Sequence, residues 1–220
     1  MTNQPDESSR QHPSLLRVAA WIPDVDENLE RWEELEQIAV EWIEEQATAD
    51  GVTPVVFYNA AKAHEGPGPV HRLADRYRFS YPLDRNRPRG AVVAFHPDAR
   101  SLRQATELAR GSALVVLESA MTPLAGWAAG TRAEDLSGLY PQVQTLAPKA
   151  QKALDRAVFF GGHNNWTGSH EREHARKALD AVLRDGLIDV DTAVGYALAH
   201  AGVSEVGAKN LRSSLERKRR

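Results

Sequence analysis

Apolar positions along this chain come in two patterns. In the first half, short runs that are apolar at nearly every position alternate with stretches in which apolar residues recur every three or four positions. Residues 15–22, 54–59, 91–95 and 113–117 are runs of the first kind, rich in Val, Ile, Leu, Phe and Ala. A run of that length with no polar alternation predicts a strand buried on both faces. Pro23 stops the first run, and Pro54 sits at the first position of the second, where a missing N–H costs no ladder bond.

Between these runs, Leu29, Trp32, Leu35, Ile38, Ala39, Trp42 and Ile43 form one helical stripe, with Asp26 as its predicted N-cap and Asp50-Gly51 as its stop. Residues 70–77 predict a short helix after the Gly66-Pro67-Gly68-Pro69 loop. Ser101 is the expected cap of another, carrying Leu102, Ala105, Leu108 and Ala109 and ending at Gly111. Residues 121–129 predict one more. Apolar strands separated by amphipathic helices imply a mostly parallel sheet covered on both sides.

After Ser119 no further strand-like run occurs and the spacing is helical to the end. Helices are predicted around 149–160, 169–184 and 191–201. A last one follows Ser204 as cap, with Ala208, Leu211 and Leu215 facing inward. The expected architecture is α/β, a Rossmann-like, mostly parallel sheet of about four strands over residues 14–138, followed by a small all-helical domain over 146–220 with a basic C-terminal end. Residues 1–13 read as a disordered tail, and 135–148, with Gly138, Pro141 and Pro148, as the junction.

Composition narrows the function classes. Of 220 residues, 42% are hydrophobic and 26% charged, as in an ordinary globular chain. There is no Cys, which removes disulfides, thiol nucleophiles and Cys-ligated zinc. No apolar run approaches membrane-spanning length and the polar start lacks a signal-peptide core, so a cytoplasmic protein with no membrane contact is expected. The net charge of −3 is unevenly spread. Residues 24–45 are strongly acidic, while 72–110 and the last residues are rich in Arg and Lys.

No Walker-type phosphate loop, dinucleotide glycine triplet or Gly-x-Ser-x-Gly elbow is present, so no cofactor is expected. Candidate site residues come instead from the carboxyl ends of the predicted strands, where open parallel sheets bind ligands: Tyr58 and Asn59, His96 and Asp98, Glu118 and Ser119. A His with nearby carboxylates suits proton transfer, and Lys62 and Arg100 suit an anion. Equally, Asp98 can cap a helix and His96 can satisfy a backbone group. The glycine-rich stretch 161–168 adds His163, Asn164, Asn165 and Trp166. These are either a polar, stacking ligand surface or a turn closed by Asn side chains and plugged by Trp.

His170-Glu171-Arg172-Glu173-His174 fits the spacing of a helical zinc-protease motif. Its charged variable positions suit a solvated helix start instead, so no metal ligand is assigned. Residues 197–220, with Gly202-Val203-Ser204 between two helices and a basic end, resemble a DNA-binding helix-turn-helix, which implies nucleic acid as a possible partner. With no complete catalytic constellation, the leading expectation is a non-enzymatic binding or regulatory protein. Its α/β domain would recognise a small molecule or protein, and its helical domain would contact a partner. The alternatives are a hydrolase or transferase working at the strand ends, with or without the help of a metal, and nucleic-acid binding through the basic C-terminal helices.

Overall fold

A computed structural model describes residues 15–86, 88–120, 122–140 and 145–216. The predicted tail of residues 1–13 and the basic end, 217–220, lie outside the described residues. So do Met121, at the start of one predicted helix, and Pro141 in the predicted junction.

All four predicted strands form: β1 (Val18–Ile22), β2 (Pro54–Tyr58), β4 (Ala91–Phe95) and β5 (Ala113–Leu117). Two more, β3 (Phe79–Ser80) and β6 (Glu134–Asp135), bring the sheet to six, in the order β3-β2-β4-β5-β1-β6. Every pairing is parallel. The expected count of about four is thus corrected to six. The two added strands are two-residue edges that pair through backbone alone, and so short a pairing needs no apolar run to mark it.

Period-two alternation divides each long strand between two cores. Trp21, Phe57, Ala94 and Val116 point to one side, and Ile22, Tyr58, Val93 and Val115 to the other. The second side is covered by α2 (Trp32–Asp50) and α3 (Pro69–Arg76). The predicted stripe holds within α2 at Leu35, Ala39 and Ile43, but the helix begins later than expected. Asp26 lies inside a separate four-residue turn, α1 (Asp26–Leu29), and Leu29 points to solvent. Gly51, at φ 65°, ends α2 in the left-handed conformation that glycine adopts without penalty.

The first side carries α4 (Ala99–Leu108) and α5 (Ala125–Thr131). The remaining helices, α6 (Pro148–Gly161), α7 (Ser169–Arg184), α8 (Val190–Leu198) and α9 (Glu205–Glu216), share its core. Apolar contact runs unbroken from Trp21 and Phe57 through Leu102 and Trp127 to Leu154, Leu179, Tyr196 and Leu211. A separate core for the helical half is therefore not seen. Where α5 crosses α8, a Cβ added at Gly126 would run into the Thr192 carbonyl, so the backbones approach as only glycine permits. Among the described residues no helix is long and apolar enough to cross a membrane.

Candidate functional site

The strand ends hold the polar residues predicted for them, but those groups are bonded mostly to the chain's own backbone. Asn59, just past β2, gathers the β4–α4 turn. Its amide nitrogen donates to the His96 carbonyl, and its oxygen accepts from the Asp98 amide at 3.3 Å and from the Ser101 hydroxyl. Asp98, not Ser101, is the N-cap of α4. Its carboxylate accepts from the Ser101 amide at 2.7 Å while the Ser101 hydroxyl accepts from the Asp98 amide at 2.8 Å, a reciprocal capping box. The sequence offers both residues as caps; the helix begins at Ala99, three residues before a Ser101 cap would start it, so Ser101 serves as the N3 partner of the box. Partial burial pushes the Asp98 carboxyl up, yet its bonds to Ser101 and to the Arg100 amide bring it below the usual carboxylate range.

His96 adopts φ 47°, uncommon for a non-glycine residue, and donates its amide to the Leu117 carbonyl at 2.9 Å. Its ring lies between Phe95 and Trp32, and burial draws the imidazole below its usual range although the Asp24 carboxylate opposes this. Glu118 is buried. Desolvation raises its carboxyl to about 7, against the amides of Leu124 and Asp24 that bond it; the Leu124 bond is 2.5 Å. Asp24 in turn accepts from the Ala120 amide at 2.6 Å. Ser119 accepts from the Thr122 amide in the same loop. Tyr58 is fully buried against His71, Phe79 and Phe95, and its hydroxyl has no partner among the described residues.

The glycine-rich stretch is a hinge pin. Trp166 is sealed from solvent and lies against Gly161, where any Cβ would collide with its ring. Asn165 and Trp166 both take positive φ, at 59° and 50°. The Asn165 side-chain oxygen accepts from the Ser204 amide at 2.6 Å and the Ser204 hydroxyl at 2.8 Å, and its carbonyl accepts from Asn210 at 2.9 Å. Asn164 bonds Glu171 and the Trp166 amide. His163 is exposed. This segment therefore hangs the start of α9 on the end of α6, and its side-chain hydrogen bonds go to Glu171, Ser204 and its own turn rather than to the strand-end residues.

What sequence reasoning missed, apart from Arg100, is a groove of about 740 Å³ where the sheet half meets α9. Its floor is the buried Phe57 and Leu108, and the rest of its lining includes Arg89, Arg100, Arg103, Gln104 and Glu107 with Ser204, Glu205 and Val206 at the start of α9. The volume suits a small organic ligand. None of the three guanidiniums stands within ion-pair distance of a carboxylate among the described residues. The two acids on the groove are committed elsewhere: Glu107 to Arg110 at 2.6 Å and Glu205 to Lys209 at 2.5 Å. Arg100 and Arg103 stand three apart in the first turns of α4, where like charges repel and a cation opposes the helix dipole. The signal available in the sequence was that spacing, inside the Arg-rich stretch already noted.

A larger hollow of about 1000 Å³ lies between α7, α8 and α9 and is also charged; Arg212 pairs with Asp191 and Glu216 and Arg184 with Asp180, while Arg176 has no ion pair among the described residues. Among the described residues, no group of three His or carboxylate side chains is placed to hold a metal. Comparison with protein-family models, with curated proteins and with solved structures finds no match for this chain.

Proposed function

We propose that this chain is a non-enzymatic binding or regulatory protein that holds a small organic anion in the arginine groove, leaving the outer faces of the helical half for a partner. The observation that carries this reading is that Arg89, Arg100 and Arg103 line the groove around an apolar floor without an ion pair among the described residues, Arg100 having the Asp98 carboxylate in electrostatic reach but not at pairing distance, while Glu107 and Glu205 pair with other cations. Guanidinium groups bind phosphate and carboxylate oxygens in pairs, and an apolar floor supports the organic part of a ligand. Arg89 and Arg100 are exposed and Arg103 is half-buried, so an anion entering the groove gains charge-assisted bonds and relieves the repulsion between neighbouring guanidiniums.

The enzymatic alternative draws on the strand-end residues Tyr58, Asn59, His96, Asp98, Glu118 and Ser119. Most of the polar groups there are spent on backbone bonds, and none of these residues lines either charged hollow. The nucleic-acid alternative draws on α9, yet Lys209 and Arg212 are paired with carboxylates, and Asn210 is bonded to Asn165.

Calorimetric titration of the full chain with pyrophosphate and with citrate tests the proposal. Saturable binding that weakens as salt is added is expected, with the ligand recovered unchanged. The double variant Arg100→Glu, Arg103→Glu should bind about 100-fold more weakly. Equal binding by wild type and variant, or none by either, would overturn the reading.

A further inference from the structure

We propose that His170 and His174 form a surface site for one divalent transition ion of the zinc, nickel or copper class, held by two imidazole nitrogens and otherwise open to exchangeable ligands. The site is independent of the anion groove. The two residues are four apart in α7, so their side chains rise from one face of the helix. Their Nε2 atoms lie 3.1 Å apart, and the rings meet at 72° with centroids 4.3 Å apart. A metal about 2.1 Å from each nitrogen would see them at an angle of about 95°, between the octahedral and tetrahedral values.

The pair is also held in place. The Phe160 ring stacks on His174 at 5.2 Å and 26°, and the Arg156 guanidinium lies over the other part of that stack, 5.9 Å from the Phe160 centroid. A ring that is already oriented loses less freedom on binding, which favours chelation. The nearby carboxylates are engaged: Glu171 accepts from Asn164 at 2.9 Å and Glu173 pairs with Lys177 at 2.7 Å. The shell therefore stops at two protein donors, which separates this site from the buried three-ligand arrangement of a zinc protease. Imidazole pairs favour copper, nickel and zinc over the harder, oxygen-seeking calcium and magnesium.

The competing account of the 3.1 Å approach is a plain imidazole hydrogen bond with no affinity for metal. Titration of the untagged full chain with Ni²⁺ and with Zn²⁺, in buffer free of phosphate, separates the two. The site predicts one equivalent bound, and His170→Ala or His174→Ala should each weaken binding by about tenfold or more, because two-point attachment is lost. The double variant should be little worse than either single one, whereas His163→Ala should bind as wild type does. With Cu²⁺, the electron paramagnetic resonance spectrum should report two nitrogen donors in wild type and one in each single variant. Both positions face solvent at least in part, and unchanged melting curves will show that the variants fold. Wild-type affinity no higher than that of the double variant, or identical copper spectra, would overturn the proposal.

Discussion

The strand ends lie on the α/β half and the arginine groove where that half meets α9, and each gathers several charged or polar groups. At the strand ends, Asp98, Asn59, Asp24 and Glu118 all meet backbone amides or carbonyls, so their charge and polarity are consumed in fixing loops. In the groove, Arg89, Arg100 and Arg103 meet no carboxylate at pairing distance among the described residues, and the two acids that line it, Glu107 and Glu205, pair with Arg110 and Lys209. The hollow between α7, α8 and α9 is larger and as charged, and two of its three arginines, Arg184 and Arg212, are paired with its own carboxylates. A ligand site is marked by unanswered charge next to apolar surface, and counting polar residues does not find it.

The comparison can be broken most severely at Trp166. Removing this fully buried ring in Trp166→Ala should cost about 3–5 kcal/mol, read from urea unfolding midpoints. Because the same turn anchors Ser204, pyrophosphate binding should weaken as well. A variant as stable as wild type would contradict the role given to this turn.

The next effect sharpens the strand-end side. The folded Glu118 carboxyl is raised from 4.5 to about 7 by burial, so its protonated form is the one the fold prefers. Its contribution is full below the unfolded value and is lost as pH rises through about 7, on the order of 3 kcal/mol in all. Glu118→Gln should remove that decline, measured as urea midpoints between pH 5 and pH 8, and leave anion binding untouched. Parallel pH slopes for the two proteins would contradict the assignment.

The smallest effect concerns Asp98. Asp98→Ala should lose about 1 kcal/mol of stability with the capping box, while anion affinity stays the same or rises slightly with a carboxylate gone from beside Arg100. Weakened binding would place Asp98 in the site after all.

Much of this was legible in the sequence. The four long strands, α7 and the inward face of α9 follow from apolar spacing, and the strand ends carry the residues expected there. The edges β3 and β6 were not legible because two-residue strands have no pattern. The break before α2 was not, because Leu29 fits the stripe by spacing yet faces solvent. Arg100 was singled out as an anion holder and Arg103 follows it by three residues on α4, but Arg89 and the residues at the start of α9 join them only through tertiary packing, which no local pattern encodes. The dual character of residues 161–168 was left open by the sequence. Positive φ at Asn165 and Trp166 and the bonds to Ser204 show the structural use.

The most direct test of the central claim follows the arginine Nε–H signals by nuclear magnetic resonance while pyrophosphate is added to the full chain. Arg89, Arg100 and Arg103 are predicted to shift together along one saturation curve, with Arg184 and Arg212 unmoved. Equal shifts in both sets, or none in the groove, would contradict it.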